Sequence, residues 1–332
     1  MSLKKVEKHF RKALSKLPPE WETIAKGLIS YVPGIMRYSD VTHSIDAEYC
    51  YSTYLAHLNQ AHRVSLDPFP KVVAELGPGT SFGVGIAALL CGANVYYAID
   101  ELPHAKLEAN LRALDQLVDF FRSKKDPEEE RGTRKTIDRF PGHVLTDDIL
   151  EQTLDDSRIE QIKAQLRKAI TGEAVSGEGQ IKIIYLHPFK GSNMLKPRSV
   201  DMIMSTVVLQ VVEDLPEVYS CFSEWLKPGA WMSHFVDFSN YGMTRDWNGH
   251  WGCSRFLWRL MQGNRPYLHN RAPYSVHIEL MKMNGFDIVT DIRTLDYSGI
   301  GRKSLNEDFA YLTDDDIIIT RALIQAVKRR SD

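Results

Sequence analysis

The feature that most constrains this chain is a short passage, VVAELGPGTSFG, in which an apolar run at Val72 to Leu76 passes directly into Gly77-Pro78-Gly79 and then, through Gly83, into an apolar segment that stops at Gly92. A strand that hands over to a helix in so few residues needs glycine for backbone that other residues avoid. The helix that follows turns its unpaired N–H groups toward whatever sits on the loop. The pattern predicts a strand–loop–helix unit of a parallel sheet, with the loop at the C-terminal edge where such sheets bind ligands. The glycine spacing alone fits a tight structural turn equally well. Two acids narrow the reading: Glu75 lies inside the strand, and Asp100 ends the next apolar run, NVYYAID, where a carboxylate can accept both hydroxyls of an adenosine ribose.

The rest of the chain alternates in the same sense. Strands are expected at 94–100, 181–189, 199–209 and 230–238. Helices are expected near 104–122 and from Asp214, which with Glu217 makes a capping-box start. The segment YSVHIELMKMNG reads as a helix closed by Gly285, and FDIVTDIRTL and DDIIITRALIQAV read as two strands with no helix between them. Residues 1–66 read as a helical N-terminal extension or cap, with Val6, Phe10 and Leu14 at helical spacing followed by the Tyr-rich EYCYSTYLAHL. The remainder, 67–332, reads as one core domain carrying a helical, charged insertion at 101–180 and a second insertion at 239–273, rich in Trp, Arg, Asn and His and weakly periodic. The run RSKKDPEEERGTRK is expected to be solvated.

Composition excludes several function classes. Lys+Arg 41 against Asp+Glu 43 leaves a net charge of -2, so no overall positive field recommends nucleic acid. Cys50, Cys91, Cys221 and Cys253 form no C-x-x-C pair, which suits a reduced, cytoplasmic protein without structural zinc. The charged N-terminus lacks the apolar core of a secretory signal. The most hydrophobic stretch, Val84 to Ile99, is interrupted by Gly85, Gly92 and Asn94 and falls short of the roughly 20 residues that a membrane helix needs.

Dehydrogenases also place an acid at the second strand end, so a nicotinamide-dependent oxidoreductase is the first competing class. The carboxylate inside the first strand, suited to a sulfonium and amino group, and the helix-free strand pair near the C-terminus favour S-adenosyl-L-methionine instead. At this point VVAELGPGTSFG, YYAID, SVDMIMSTVVLQVVEDL and EWLKPGAWMSHFVDF together resemble the class I S-adenosylmethionine-dependent methyltransferases over about 72–240 and 277–325. A narrower likeness, to methyltransferases that accompany bacterial surface-glycan synthesis, is carried by DAEYCYSTYLAHL, GPGTS, IIYLHPF, HFVDFSNY and NRAPYS. The chain departs from that pattern in two places. It has Asn240-Tyr241 where Asp-His is expected, and it has no acid around His187 to Lys190 near the third strand end.

The resemblance implies a Rossmann-like methyltransferase fold, a seven-stranded, mostly parallel sheet of order 3-2-1-4-5-7-6 flanked by helices. It implies S-adenosyl-L-methionine as cofactor, with S-adenosyl-L-homocysteine as product. The cofactor contacts it implies are Glu75, Gly77, Pro78, Gly79, Thr80, Asp100, Glu101 and Ser205, with Phe189 as apolar packing for adenine. The chemistry expected is methylation of a hydroxyl on a saccharide or similar small molecule, without metal. A methyltransferase-like binding module without turnover is the alternative. The oligomeric state is not legible.

Candidate groups carry two readings each. Ser205, Thr206 and Gln210 either border the methyl group or bury a junction. His234 and Asp237, three apart on one strand and so on opposite faces, are candidate proton acceptors; His234 equally fits a hydrogen-bonded interior residue, and Asp237 a structural carboxylate. Trp247, Trp251 and Arg271 either hold a polar acceptor by stacking and hydrogen bonds or pack a small satellite core. Tyr49, with Tyr51 and Tyr54, is either a lid or the packing face of a helix.

Overall fold

The computed structural model describes residues 17–32, 46–127, 139–173, 179–265 and 268–330. The periodic segment around Val6, Phe10 and Leu14, and most of the charged run after Asp126, lie outside the described residues. Seven strands form one sheet in the order β3-β2-β1-β4-β5-β7-β6. They are β1 (Val72–Leu76), β2 (Val95–Ile99), β3 (Lys182–Leu186), β4 (Val200–Thr206), β5 (Leu226–Asp237), β6 (Phe286–Leu295) and β7 (Ile319–Lys328). β1 to β5 pair in parallel, while β7 runs antiparallel between β5 and β6. The expected sheet is present, and the link from β6 to β7 holds two short 3-10 turns, Arg302–Ser304 and Glu307–Phe309, but no α-helix among the described residues.

Alternation along the strands builds a core on each face. Val73, Tyr96, Ala98, Met202 and Met204 pack toward α2 (Ala47–Arg63), α3 (Gly83–Leu90), α4 (Leu107–Ser123) and α6 (Asp156–Thr171), which follows the short α5 (Asp147–Thr153). Ala74, Leu76, Ile203, Met232 and Val236 pack toward α7 (Leu215–Trp225) and, beyond α8 (Arg255–Gln262), α9 (Tyr274–Met283). With both faces covered, the strands read as apolar runs, as parallel sheets require. Among the described residues no helix is long and apolar enough to cross a membrane.

Several boundaries differ from expectation, β4 ending at Thr206 and β7 beginning only at Ile319 among them. β3 stops at Leu186, before His187-Pro188. The LKPG segment, expected as a turn, already belongs to β5, because Leu226 pairs with Val200 across an irregularity in the β4–β5 register. The expected N-terminal cap divides into two kinds of helix. α2 is core: Tyr51, Tyr54, Leu55 and Leu58 are buried under the sheet, and the Tyr51 hydroxyl donates to the Lys125 carbonyl at 2.7 Å. α1 (Pro19–Ile29) packs instead on α8 within the 239–273 segment. There Gly27 lets the backbones meet, since a Cβ on it would stand 2.0 Å from the Leu260 carbonyl oxygen.

Candidate active site

The glycine loop owes its shape to side chains from three directions. Gly77 and Gly79 have φ of +68° and +66°, and a Cβ on Gly77 would lie 2.5 Å from a Val208 methyl, so the loop rests directly on the exit of β4. Asn110, fully buried on α4, ties the loop to that helix. Its Oδ1 accepts the Phe82 N–H at 2.6 Å and its Nδ2 donates to the Thr80 carbonyl at 3.2 Å. Asp100, just past β2, accepts the Gly79 N–H at 2.9 Å through one oxygen and the Glu101 N–H at 2.7 Å through the other. Pro78 and Thr80 are buried in the turn and Glu101 is exposed. Asn110 carries no pattern of its own in the sequence and went unread; its one signal is a polar residue on the apolar face of α4.

Glu75, expected near a cationic ligand, is held inside the sheet. It is only 4% exposed, and its carboxylate accepts the Tyr96 hydroxyl at 2.5 Å, with a further hydrogen bond from the Gly85 N–H. Burial pushes it up to about 7, against the opposing effect of those bonds. It braces the loop from inside the sheet. Ser205 is likewise interior, its hydroxyl 2.8 Å from His234 Nδ1 on the paired strand. His234 stacks on Phe222 with ring centroids 5.2 Å apart, is fully buried, and is held down to about 3 chiefly by that burial. Its surroundings are those of an interior histidine. Phe189 is half-buried near the end of β3, edge-on to Trp225 at 6.3 Å. Tyr49 is half-buried against the α2–α4 core.

At the exits of β4 and β5 the backbone is unusual. Val207, β-branched, has φ of +57°, fixed by its N–H bond to the Phe235 carbonyl at 2.8 Å, and Tyr241 has φ of +54°. Such conformations persist only where the surroundings impose them. Asn240 supplies that constraint at β5: its side chain bonds Thr244 Oγ1, the Asp246 carbonyl and the Gly242 N–H, closing a turn that projects Tyr241, 53% exposed, over Gln210. The Tyr241 hydroxyl accepts from Gln210 Nε2. The Asn-Tyr departure thus has a local structural reason. Asp237, at the end of β5, accepts the Ser239 N–H at 2.9 Å and pairs with Arg321 of β7 at 3.0 Å.

The 239–273 segment is more ordered than its sequence suggests. It contains α8 and a short 3-10 turn at Gly249–Gly252. Trp251, expected as a stacking face, is fully buried in the α7–α9 core and donates to the Arg271 carbonyl at 2.9 Å. Arg271, expected to face an acceptor, donates to the Cys253 carbonyl at 2.9 Å and lies over the Phe309 and Trp258 rings at 4.7 and 5.0 Å. Trp251 is a packing group, its one polar atom bonded within the segment, and Arg271 is held by the Nη1 bonds to the His250 and Cys253 carbonyls and by the two ring faces. Trp247 is half-buried beside Trp251, its Nε1 buried without a partner. Asn270, unread in the sequence beyond its place in NRAPYS, donates to the Leu209 and Val212 carbonyls at 2.8 Å each, clamping this segment to the β4 exit.

No family model and no curated protein matches the chain. Solved structures are similar in chain path. An S-adenosylmethionine-dependent methyltransferase from Mesorhizobium loti is 13% identical, with 82% of this chain and 98% of that one covered and a TM-score of 0.41. An S-adenosylmethionine-dependent methyltransferase from Methanosarcina mazei is 12% identical, with 81% and 97% covered and a TM-score of 0.40. At such identity the likeness assigns no residue a role.

Proposed function

We propose that this protein is an S-adenosyl-L-methionine-dependent methyltransferase that acts on a hydroxyl group of a saccharide or comparable small molecule. The observation that carries the reading is the convergence of the glycine loop and Asp100 at the C-terminal edge of a sheet whose β7 is antiparallel, a strand that the all-parallel dinucleotide-binding order lacks.

The residues present fit the cofactor. Each Asp100 oxygen accepts one backbone N–H and keeps a further acceptor position for a ribose hydroxyl. Gly77 and Gly79 give the ligand backbone without side chains. When bound, S-adenosyl-L-methionine supplies an electrophilic methyl group on a sulfonium. The chain contributes position: Asn110 holds the loop, Val208 seats it on β4, and Gln210, Tyr241 and the 268–273 segment border the acceptor side. With His234 sealed in the core, Asp237 is the carboxylate we assign to receive the acceptor proton.

The test is thermal stability. S-adenosyl-L-homocysteine, binding the native state alone, must raise the melting temperature by mass action, and NAD and NADP must leave it unchanged. A response to a nicotinamide nucleotide without one to S-adenosyl-L-homocysteine overturns the reading. Cofactor binding without methyl transfer to any hydroxylated acceptor would move the protein to a binding module, a reading for which the Tyr241–Gln210 bond across the acceptor side is the supporting observation.

A further inference from the structure

Between the β4 exit and the 239–273 segment lies a cluster of buried polar side chains whose hydrogen bonds are incomplete. Gln210, His250 and His269 are each almost wholly buried. The His250 and His269 rings are 4.7 Å apart, His269 faces Tyr241 at 6.3 Å, and Tyr241 is bonded to Gln210. The Asn270 N–H donates to the Gln210 carbonyl at 2.7 Å, so the backbones of the two sides are joined here. Gln210 Oε1 and both ring nitrogens of His250 are buried with no partner among the described residues, while the His269 ring faces the Asp237 backbone carbonyl. A native structure rarely leaves several such atoms together unpaired, because each forfeits its hydration without replacement.

Their chemistry is specific. His269 Nδ1 accepts the Arg271 N–H at 2.9 Å, so the proton of the neutral ring sits on Nε2, which is a donor. Gln210 Oε1 is an acceptor, its amide nitrogen being taken by Tyr241. The cluster therefore offers both a donor and acceptors, since the neutral His250 ring adds one of each. A hydroxyl, which donates and accepts at once, matches that mixture. A carboxylate or phosphate, acceptor only, would meet Gln210 Oε1 unfavourably, and an ammonium would meet the one N–H of the neutral His250 ring. Of the nearby formal charges, Asp237 is paired with Arg321, and the Arg271 guanidinium is directed onto the Cys253 carbonyl and the Phe309 ring.

We propose that Gln210, His250 and His269 form the acceptor subsite and that it takes an uncharged polyhydroxy molecule, a sugar or cyclitol. The subsite adjoins the glycine loop through Val208, two residues from Gln210, and it rests on the methyltransferase reading above. His250 and Gln210 orient the acceptor, and His269, held between the Arg271 N–H and the Asp237 carbonyl, walls the subsite and takes no proton.

The experiment is a thermal-shift titration with S-adenosyl-L-homocysteine saturating. The probes are the methyl glycosides of glucose, galactose, mannose and rhamnose, together with myo-inositol, and the charged counterparts are glucose 6-phosphate and glucuronate. Neutral probes raise the melting temperature further and charged ones do not. His250→Phe and Gln210→Leu weaken that second shift at least about tenfold while keeping the S-adenosyl-L-homocysteine shift. The apolar replacements, relieved of unpaired polar atoms, melt no lower than wild type in the absence of probe. A charged probe that matches the neutral ones, a panel in which no neutral probe acts, or variants that retain the second shift would each overturn the subsite. Absence of the first shift, by contrast, strikes at the methyltransferase reading itself.

Discussion

The Asp100 carboxylate and the Gly79 backbone nitrogen lie 2.9 Å apart, so the acid at the end of β2 and the second glycine of the loop form one structural unit before any ligand arrives. The carboxylate is thereby fixed in place, and a ribose that uses its remaining acceptor positions need not order it first.

On the proposed cofactor reading, Asp100→Ala removes both the charge-assisted ribose contacts and this brace. S-adenosyl-L-homocysteine affinity, measured by calorimetry, should fall by about 1.5–3 kcal/mol, the range for hydrogen bonds to a charged group. Asp100→Asn keeps an oxygen for the Gly79 N–H and should lose less. Equal losses in the two variants would mean that the effect runs through the loop and not through the ribose.

Glu75 provides a pH signature. Its carboxyl is raised from 4.5 to about 7 by burial, so the folded chain holds a proton that the unfolded chain releases above 4.5. Stability from this group is fully present below 4.5 and is lost as pH rises to 7, about 3 kcal/mol in all. His57, His234 and His277, buried and lowered to about 3, act in the opposite sense and erode stability as pH falls below 6.5. A difference curve isolates the acid. Glu75→Gln keeps an acceptor for Tyr96, and its urea-unfolding free energy relative to wild type should climb between pH 4.5 and 7 and level off above. Parallel curves would show that Glu75 is charged in the folded protein.

What the sequence disclosed is what is written locally. The sheet follows from apolar runs separated by turn residues, and the loop from glycines whose positive φ no neighbour could replace. Asp100 was expected at a strand end, and it stands there against the Gly79 N–H. Trp251 was misread because composition says that a segment holds aromatics, and only the fold says which way they face. His269 and Asn270 were passed over for the converse reason: their importance comes from the β4 exit, about 60 residues earlier in the chain, to which Asn270 is bonded.

Trp251 supplies the corresponding stability prediction. Removing a fully buried indole whose N–H bonds the Arg271 carbonyl leaves a large cavity and an unpaired acceptor, so Trp251→Ala should cost about 3–5 kcal/mol. Denaturant unfolding reads that loss, and surviving folded protein should bind S-adenosyl-L-homocysteine within about threefold of wild type. Unchanged stability with weakened acceptor binding would restore Trp251 to the acceptor face.

Asp237 is the remaining question of chemistry, because its two oxygens serve Ser239 and Arg321 and so could be wholly structural. The two roles separate by variant. Asp237→Asn keeps an acceptor for the Ser239 N–H but loses the ion pair with Arg321, and Arg321→Gln loses the same ion pair while leaving the carboxylate. If Asp237 receives the acceptor proton, Asp237→Asn lowers kcat by about 10²–10⁴, the usual contribution of a positioned base, with little change in KM. Arg321→Gln then retains most turnover, since the base is still present. If the ion pair is what matters, the two variants lose activity and stability alike, and the double variant loses no more than either one, as coupled partners do. Full turnover in Asp237→Asn would leave transfer to positioning alone, with the hydroxyl proton passing to solvent.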